Sequence, residues 1–221
     1  SRMSSRATPH RTCSTVARLE YYKEPVANYL LLSSFAFDSS IAGIFWSLTQ
    51  GGTLTIPREG THQDPNHLRG LIRDYKVSHL LALPSFYQAI LDQSSTAEMA
   101  SLKTVSVAGE GCSPELVQRH YSKLPSVQLY NEYGPTEGTV WSTVHHCQAG
   151  EQEIVPIGRP VPNMSVYILD EHREPVGVGL RGEICIAGCA VAQGYLNRPD
   201  LTAEKFVANG YGGGKLYRTG D

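Results

Sequence analysis

The chain has 221 residues, 41% of them hydrophobic, and carries 19 basic and 21 acidic side chains for a formal net charge of −2. This balance argues against a general nucleic-acid binder, and no apolar run of 18 residues is present that would predict a membrane-spanning helix. No signal-peptide pattern opens the chain. Scattered cysteine spacing predicts reduced thiols in a cytoplasmic protein rather than disulfides or a zinc site; the cysteines are Cys13, Cys112, Cys147, Cys185 and Cys189.

The first part of the chain alternates between helical and strand patterns. Residues 1–14 are rich in Ser, Arg and Thr without apolar periodicity, which predicts a disordered segment or one foreign to the fold. Over 15–147 the apolar spacing predicts helices and strands in turn, and Asp64 followed by Pro65 is typical of a helix start. The helices are expected over 38–50, 64–75, from 84 and over 113–123, and the strands over 53–56, 77–83, 103–108 and 127–131. This rhythm predicts an α/β fold with a largely parallel sheet and flanking helices.

The pattern changes after about residue 148. Strands are expected over 166–169 and 183–186, a short helix over 200–206, and a last strand after a glycine-rich turn. We therefore expect 148–221 to form a smaller β-rich, distorted barrel-like subdomain that is truncated at its C-terminus.

Residues 131 to 137, which read NEYGPTE, are the most informative segment. They follow a predicted strand, so their side chains are expected at the mouth of a cleft. Tyr133 offers a flat face for a base, while Thr136 and Glu137 offer hard oxygens suited to Mg²⁺ and phosphates. The alternative is an ordinary turn with a solvated glutamate.

Three further motifs accompany this segment: FDSS at 37–40, GEICIAG at 182–188 followed by GYLNRP at 194–199, and YRTGD at 217–221. In order and spacing they resemble the adenylation domains of nonribosomal peptide synthetases. Those domains belong to the adenylate-forming superfamily, together with acyl-CoA synthetases and luciferases. The resemblance covers about residues 16–221 and implies part of the N-terminal fold of that superfamily.

The resemblance also implies a reaction. An amino acid is activated by ATP and Mg²⁺ as an aminoacyl adenylate, then captured by the phosphopantetheine thiol of a carrier (thiolation) domain, in a multidomain synthetase that also has condensation domains. Thr136 and Glu137 would be catalytic, with Glu137 holding the metal. The implied nucleotide-binding set is Gly109, Glu110, Asn131, Tyr133, Gly134, Thr136 and Asp221. Gly109 is otherwise a plain strand-end glycine, and Asp221 a frayed chain end.

Asp38 is the implied partner of the substrate α-ammonium group. An N-cap role explains an aspartate at the start of a helix equally well. Its presence favours an α-amino acid over an aryl or hydroxy acid. The matching pocket residues are Ser39, Ala42, Ala82, Ser106, Ala108, Glu132, Val140 and Trp141. The small walls favour a large, tyrosine-like side chain, and the single charge of Glu132 leaves a basic or hydroxylated side chain open.

Two other hypotheses remain. The chain could be a relative of acyl-CoA synthetases, although Asp38 argues against this, or a non-catalytic nucleotide-binding or structural fragment. The family's lysine-bearing phosphate loop is not readable upstream, and its C-terminal catalytic lysine lies outside these 221 residues. We therefore expect the fragment to be inactive alone. The pair His145–His146 does not predict a metal site, since adjacent strand residues point to opposite faces.

Overall fold

The computed structural model describes residues 8–151 and 153–221, with side chains described from Cys13 onward. The described chain forms two compact units. The larger contains Tyr22–Tyr133 and Val144–Arg159, and the smaller contains the chain up to Tyr21 together with Gly134–Thr143 and Pro160–Asp221. The units are therefore interleaved in sequence, and their limits differ from the division expected at 147/148.

The N-terminal segment is helical where it is described. Helix α1 spans Thr8–Tyr21, so residues 8–14 are not disordered as expected. Residues 1–7 lie outside the described residues. This helix is hard to predict because its polar stretch, Thr8 to Ser14, lacks an apolar stripe.

The larger unit follows the predicted alternation of strands and helices. Its elements are β1 (Asn28–Leu30), α2 (Ser39–Leu48), β2 (Thr53–Thr55), α3 (Pro65–Asp74), β3 (His79–Ala82), α4 (Pro84–Gln93), β4 (Thr104–Ala108), α5 (Pro114–Lys123) and β5 (Gln128–Tyr133). Two more strands, β6 (Thr143–His146) and β7 (Arg159–Pro160), extend the sheet to seven strands in the order β2-β1-β3-β4-β5-β6-β7.

Local sequence signals set the helix starts. The Asp64 side chain accepts a hydrogen bond from the Asn66 amide at 2.9 Å, and Ser113 accepts one from the Leu116 amide at 3.2 Å. A proline follows each cap at the first helical position, where its missing N–H costs nothing. Both helices begin where the sequence predicts.

The strands β1 to β5 are all parallel, which confirms the predicted α/β class. Alternate strand residues pack against the helices in one large hydrophobic cluster that includes Leu30, Leu80, Val105, Val107 and Leu129, all 1% exposed or less. Side chains buried from water in this way supply most of the folding free energy of such a layer.

The strand order places a topological switch beside β1, which has β2 on one side and β3 on the other. In open parallel sheets ligands bind beyond the carboxyl ends of the strands, at such a switch. Asp38 follows β1, Gly109 follows β4, and Asn131 to Tyr133 end β5. Most candidate site residues of this unit thus lie at the same edge of one sheet, where its parallel strands have their carboxyl ends.

The smaller unit contains an antiparallel sheet, as the β-rich prediction requires. Its elements are a 3₁₀ turn (Thr136–Gly138), β8 (Met164–Leu169), β9 (Glu183–Gly188), α6 (Pro199–Lys205), β10 (Phe206–Ala208) and β11 (Lys215–Arg218). The strand order is β10-β11-β9-β8. Leu169, Cys185, Ala187 and Leu216 form its buried cluster.

The cysteines differ from expectation in one respect. Cys13 on α1 and Cys189 after β9 form a disulfide with their Cα atoms 6.3 Å apart, whereas Cys112, Cys147 and Cys185 are free thiols. The expectation that all five are reduced is thus wrong for this pair. The two cysteines are 176 residues apart, so no local spacing could have indicated the pairing. Among the described residues no helix has the length and apolar character needed to cross a bilayer.

Gly134 is required by a close approach of two chain segments. A Cβ atom there would lie 2.7 Å from the Val140 carbonyl oxygen and 2.8 Å from the Trp141 carbonyl carbon. Backbone atoms cannot move aside as a flexible side chain can. The turn that follows β5 therefore depends on a glycine.

We predict that Gly134→Ala lowers the free energy of unfolding by about 1–3 kcal/mol, because the added methyl overpacks against backbone. Gly111→Ala is the matched control, since a Cβ there meets no atom within 4 Å, and it should change stability by about 0.5 kcal/mol or less. Urea denaturation of both variants measures the difference. Equal midpoints would contradict the prediction.

Candidate active site

In the larger unit, three candidate pocket residues share one face of the sheet. Ser106 and Ala108 are two apart on β4, and Glu132 pairs with Ala108 across β4 and β5. Ser106 is fully buried and Glu132 is 3% exposed. A buried carboxylate needs hydrogen-bond partners to offset its lost hydration.

Tyr22 supplies such a partner, and it was not among the predicted site residues. Its hydroxyl donates to Glu132 Oε1 and lies 3.3 Å from Ser106 Oγ. The ring is held by Trp46 and Tyr130, at centroid distances of 4.6 Å and 4.8 Å. Tyr22 thus takes up space that the small side chains leave. It lies 84 residues before Ser106, so only the tertiary structure shows the contact.

Asp38 is half-buried and precedes α2, as predicted, but its side chain makes no capping hydrogen bond. Its backbone is already helical, with φ −66° and ψ −25°, whereas the capping residue Asp64 is extended. The N-cap explanation therefore does not account for this carboxylate. Ser39 donates to Ser33 Oγ at 2.9 Å, and Ala42 is buried on the same helix.

Ala82 has different surroundings from the other small residues. It pairs with Val107 and belongs to the large hydrophobic cluster. Because strand side chains alternate, it shares a face with Val107 rather than with Ser106. Its role in a pocket stays a prediction.

The candidate nucleotide residues of this unit are each ordered by a specific contact or conformation. Gly109 has φ +86°, a conformation that favours glycine. The Glu110 carboxylate accepts a hydrogen bond from the Ser85 amide at 3.1 Å, and Asn131 donates to the Pro156 carbonyl at 2.9 Å. Tyr133 is half-buried at the end of β5. The Glu110 bond holds the first turn of α4, a structural task that the sequence did not indicate.

In the smaller unit, the 3₁₀ turn presents Thr136 and Glu137. Thr136 is exposed and Glu137 is half-buried. The Tyr195 hydroxyl donates to Glu137 Oε1 at 2.5 Å, and the Tyr217 hydroxyl lies 3.5 Å from that of Tyr195. Burial, reinforced by the bond to Glu137, raises the pKa of Tyr195. The phenol therefore stays protonated near neutral pH and keeps donating, which orients one carboxylate oxygen of Glu137.

Backbone contacts hold the same turn in place. The Ala192 amide donates to the Glu137 carbonyl at 2.8 Å, and Thr139 Oγ1 donates to the Ala190 carbonyl at 2.6 Å. The segment between β9 and α6 therefore supports the Glu137 turn directly. A carboxylate held in this way is suited to a hard cation such as Mg²⁺.

Val140 and Trp141 follow the turn. Val140 has φ 80°, an unfavourable conformation for a β-branched residue. Trp141 is fully buried, with the Arg18 guanidinium 4.2 Å above its ring and the Tyr21 ring edge-on at 6.0 Å. Both contacts come from α1, so this helix packs on a predicted pocket residue.

Asp221 is exposed, yet its backbone is held. Its carbonyl accepts from the Ile184 amide at 3.0 Å, and its amide donates to Thr219 Oγ1 at 3.0 Å. The backbone is therefore not frayed in this structure. Its role toward a ribose stays a prediction.

Comparison with known proteins gives consistent matches. The family model described as AMP-binding enzyme matches residues 3–196. Bacitracin synthase 3 from Bacillus licheniformis is 45% identical over 193 residues, 87% of this chain and 3% of that protein. Tyrocidine synthase 3 from Brevibacillus parabrevis is 42% identical over 217 residues, 96% of this chain and 3% of that protein. The chain thus spans only a small part of these synthases.

Solved structures agree with the fold. The nonribosomal peptide synthetase FmoA3 matches with a TM-score of 0.86 and 29% identity, over 93% of this chain and 23% of that one. The N-terminal subdomain of NpsA from Klebsiella oxytoca matches with a TM-score of 0.85 and 26% identity, over 100% and 57%. The matching family model, the architecture and these relatives together show that the chain belongs to the AMP-binding enzyme family, as part of an adenylation domain of the kind found in nonribosomal peptide synthetases.

Proposed function

We propose that this chain is the part of an adenylation domain that binds ATP, Mg²⁺ and an α-amino acid, so that the amino acid carboxylate attacks the α-phosphate of ATP, forms an aminoacyl adenylate and releases pyrophosphate. The observation that carries the proposal is the Glu137 carboxylate, held on a 3₁₀ turn by the Tyr195 hydroxyl at 2.5 Å. It lies in the segment NEYGPTE at 131–137, one of the motifs that resemble the family. A related FmoA3 structure is described as AMPPNP-bound and another as bound to α-methyl-L-serine-AMP.

The proposed division of tasks follows the roles that the family resemblance implies for these residues. Glu137 would hold Mg²⁺, which neutralises phosphate charge, and Thr136 would contact the phosphates. Gly109, Glu110, Asn131, Tyr133, Gly134 and Asp221 would line the nucleotide. Asp38 would bind the substrate ammonium group, a role supported by a side chain that does not cap its helix.

The amino acid is proposed from Glu132 and Tyr22. A buried carboxylate that already accepts a bond from the Tyr22 hydroxyl suits a side chain with a hydrogen-bond donor. This supports a hydroxylated, tyrosine-like or basic amino acid. The Tyr22 ring makes the proposed amino acid pocket narrower than the small pocket residues Ser106 and Ala108 alone would suggest.

The partners proposed are a carrier domain, whose phosphopantetheine thiol takes the aminoacyl group, and condensation domains of the same synthetase. Related structures include an artificially fused adenylation–PCP di-domain from Klebsiella oxytoca and PA1221, which contains adenylation and PCP domains. A cytoplasmic location stays our prediction.

Amino-acid-dependent exchange of pyrophosphate into ATP tests the proposed function. We expect exchange from the complete adenylation domain and, from the 221-residue chain alone, a rate lower by at least about 10²–10³, the loss typical of one missing electrostatic donor. The reason is that the catalytic lysine implied by the family resemblance, which would stabilise charge at the α-phosphate, is not among the residues matched in this chain. No exchange with any amino acid by the complete domain would refute the function, and full activity of the chain alone would refute the second expectation.

Tyr195→Phe should weaken Mg²⁺ binding in the presence of nucleotide by about 10–100-fold, because it removes the donor that orients Glu137. Tyr167→Phe makes the same chemical change on β8, where Tyr167 stacks on Tyr211 at 4.9 Å, and should leave the affinity unchanged. Mg²⁺ titration of nucleotide binding in the complete domain measures both. Equal affinities in the two variants would argue against a positioning role for Tyr195.

Glu132→Gln should lower kcat/KM for tyrosine relative to phenylalanine by about tenfold or more, because a hydrogen bond to a charged acceptor contributes about 1.5–3 kcal/mol. The same assay with basic amino acids tests the other open class. Glu115→Gln removes an exposed carboxylate on α5 and serves as the control. Glycine as the best substrate, or unchanged selectivity in Glu132→Gln, would contradict the proposed pocket.

A further inference from the structure

Three potential metal ligands, His145, Cys147 and Glu151, lie on one side of the sheet at the end of β6, and His146 lies on the opposite side. His146 stacks on Tyr130 with ring centroids 4.7 Å apart, so it faces the side of Ser106 and Glu132. His145 and Cys147 must face the other side, since strand side chains alternate. Glu151 reaches that second side, and one ligand atom each of His145, Cys147 and Glu151 lies within 4.8 Å of the others.

Helix α5 holds this arrangement in place. The Tyr121 hydroxyl donates to the Cys147 carbonyl at 2.7 Å, and Gln118 Nε2 donates to the Glu151 carbonyl at 3.4 Å. The Cys147 amide donates to Leu129 on β5 at 2.9 Å, which continues the strand pairing past His146. The three ligands therefore sit on a braced strand end and loop.

We propose that His145, Cys147 and Glu151 bind a zinc ion at a site separate from the Glu137 turn. A nitrogen, a sulfur and an oxygen donor form a typical zinc set, whereas Mg²⁺ requires oxygen ligands. A thiolate and a carboxylate together supply two negative charges, which balance Zn²⁺. Binding breaks the Cys147 S–H bond, forms a Zn–S bond and releases the proton to solvent.

The ordinary alternative is a hydrogen-bonded pair, since His145 Nε2 and Glu151 Oε1 are 2.6 Å apart. That pair leaves the second carboxylate oxygen, Glu151 Oε2, buried and without a hydrogen-bond partner among the described residues. Such groups cost free energy unless a ligand or ion satisfies them. A cation bound between the three side chains would give Glu151 Oε2 a partner.

The distances require only small movements. Tetrahedral zinc with bonds of about 2.0–2.3 Å has ligand–ligand separations of about 3.3–3.8 Å. The 2.6 Å pair would open as zinc enters between its atoms, and the wider separations would close. Three protein ligands leave a fourth position for water.

A second thiol supports the site from outside the ligand set. Cys112 is 8% exposed, and its thiol interacts with that of Cys147. The ion would connect the loop at Glu151 to the end of β6.

The test uses the full chain with its Cys13–Cys189 disulfide intact, stripped of metal with a chelator and kept free of oxygen so that Cys147 stays a free thiol. Calorimetric titration should show one Zn²⁺ bound per chain, and Co²⁺ should give a thiolate charge-transfer absorption band. A hundredfold excess of free Zn²⁺ over its Kd should raise the melting temperature by about 5–10 °C.

His145→Gln and Glu151→Gln should each lower Zn²⁺ affinity at least about tenfold. Both side chains are partly exposed, 22% and 18%, so these changes should not prevent folding. His146→Gln is the matched control, one residue away on the opposite face, and should bind normally. Cys147→Ser should abolish the Co²⁺–thiolate band.

Absence of saturable Zn²⁺ binding by the unmodified chain would overturn the site. So would unchanged affinity in both His145→Gln and Glu151→Gln, or an equal loss in His146→Gln. Far-ultraviolet circular dichroism of each variant separates lost binding from lost folding. None of these outcomes depends on adenylation activity.

Discussion

The parallel pairing of β1 to β5 is the constraint on which the larger unit depends. Parallel strands direct all their carboxyl ends to one edge, and the helices that cover the sheet occupy its faces. Residues that follow different strands, such as Asp38 after β1 and Gly109 after β4, therefore lie at the same edge of the sheet although they are far apart in sequence. The buried Leu and Val side chains that pack between the sheet and its helices stabilise this arrangement.

The Glu137 turn shows how a second layer of contacts prepares a functional group. Gly134 lets the chain pass close to Trp141, and the segment after β9 donates to the turn's backbone. Tyr195 then orients the carboxylate. The glycine, the backbone bonds and the phenol each act on a different part of the turn. The position of the Glu137 carboxylate therefore depends on residues that are not themselves metal ligands.

Sequence reasoning succeeded where local chemistry decides structure. The helix starts at Asp64 and Ser113 followed from capping and proline, and the β4 and β5 ranges followed from apolar runs. It failed where distant segments meet. The polar start of α1 has no apolar stripe, and the Cys13–Cys189 pairing and the contact of Tyr22 with Glu132 depend on tertiary packing. His145 and His146 are adjacent strand residues and point to opposite faces, whereas the structure brings together His145, Cys147 and Glu151, which are not adjacent in sequence.

The position of Tyr22 has a consequence for how substrate choice could diverge among related synthetases. Tyr22 is absent from the set of pocket residues that the family resemblance implies for this chain. Yet its hydroxyl reaches two members of that set, Ser106 and Glu132. Two homologues with the same residues throughout that set would therefore accept side chains of different size if they differ at position 22. A substitution at this single site would change selectivity while the pocket set stayed constant.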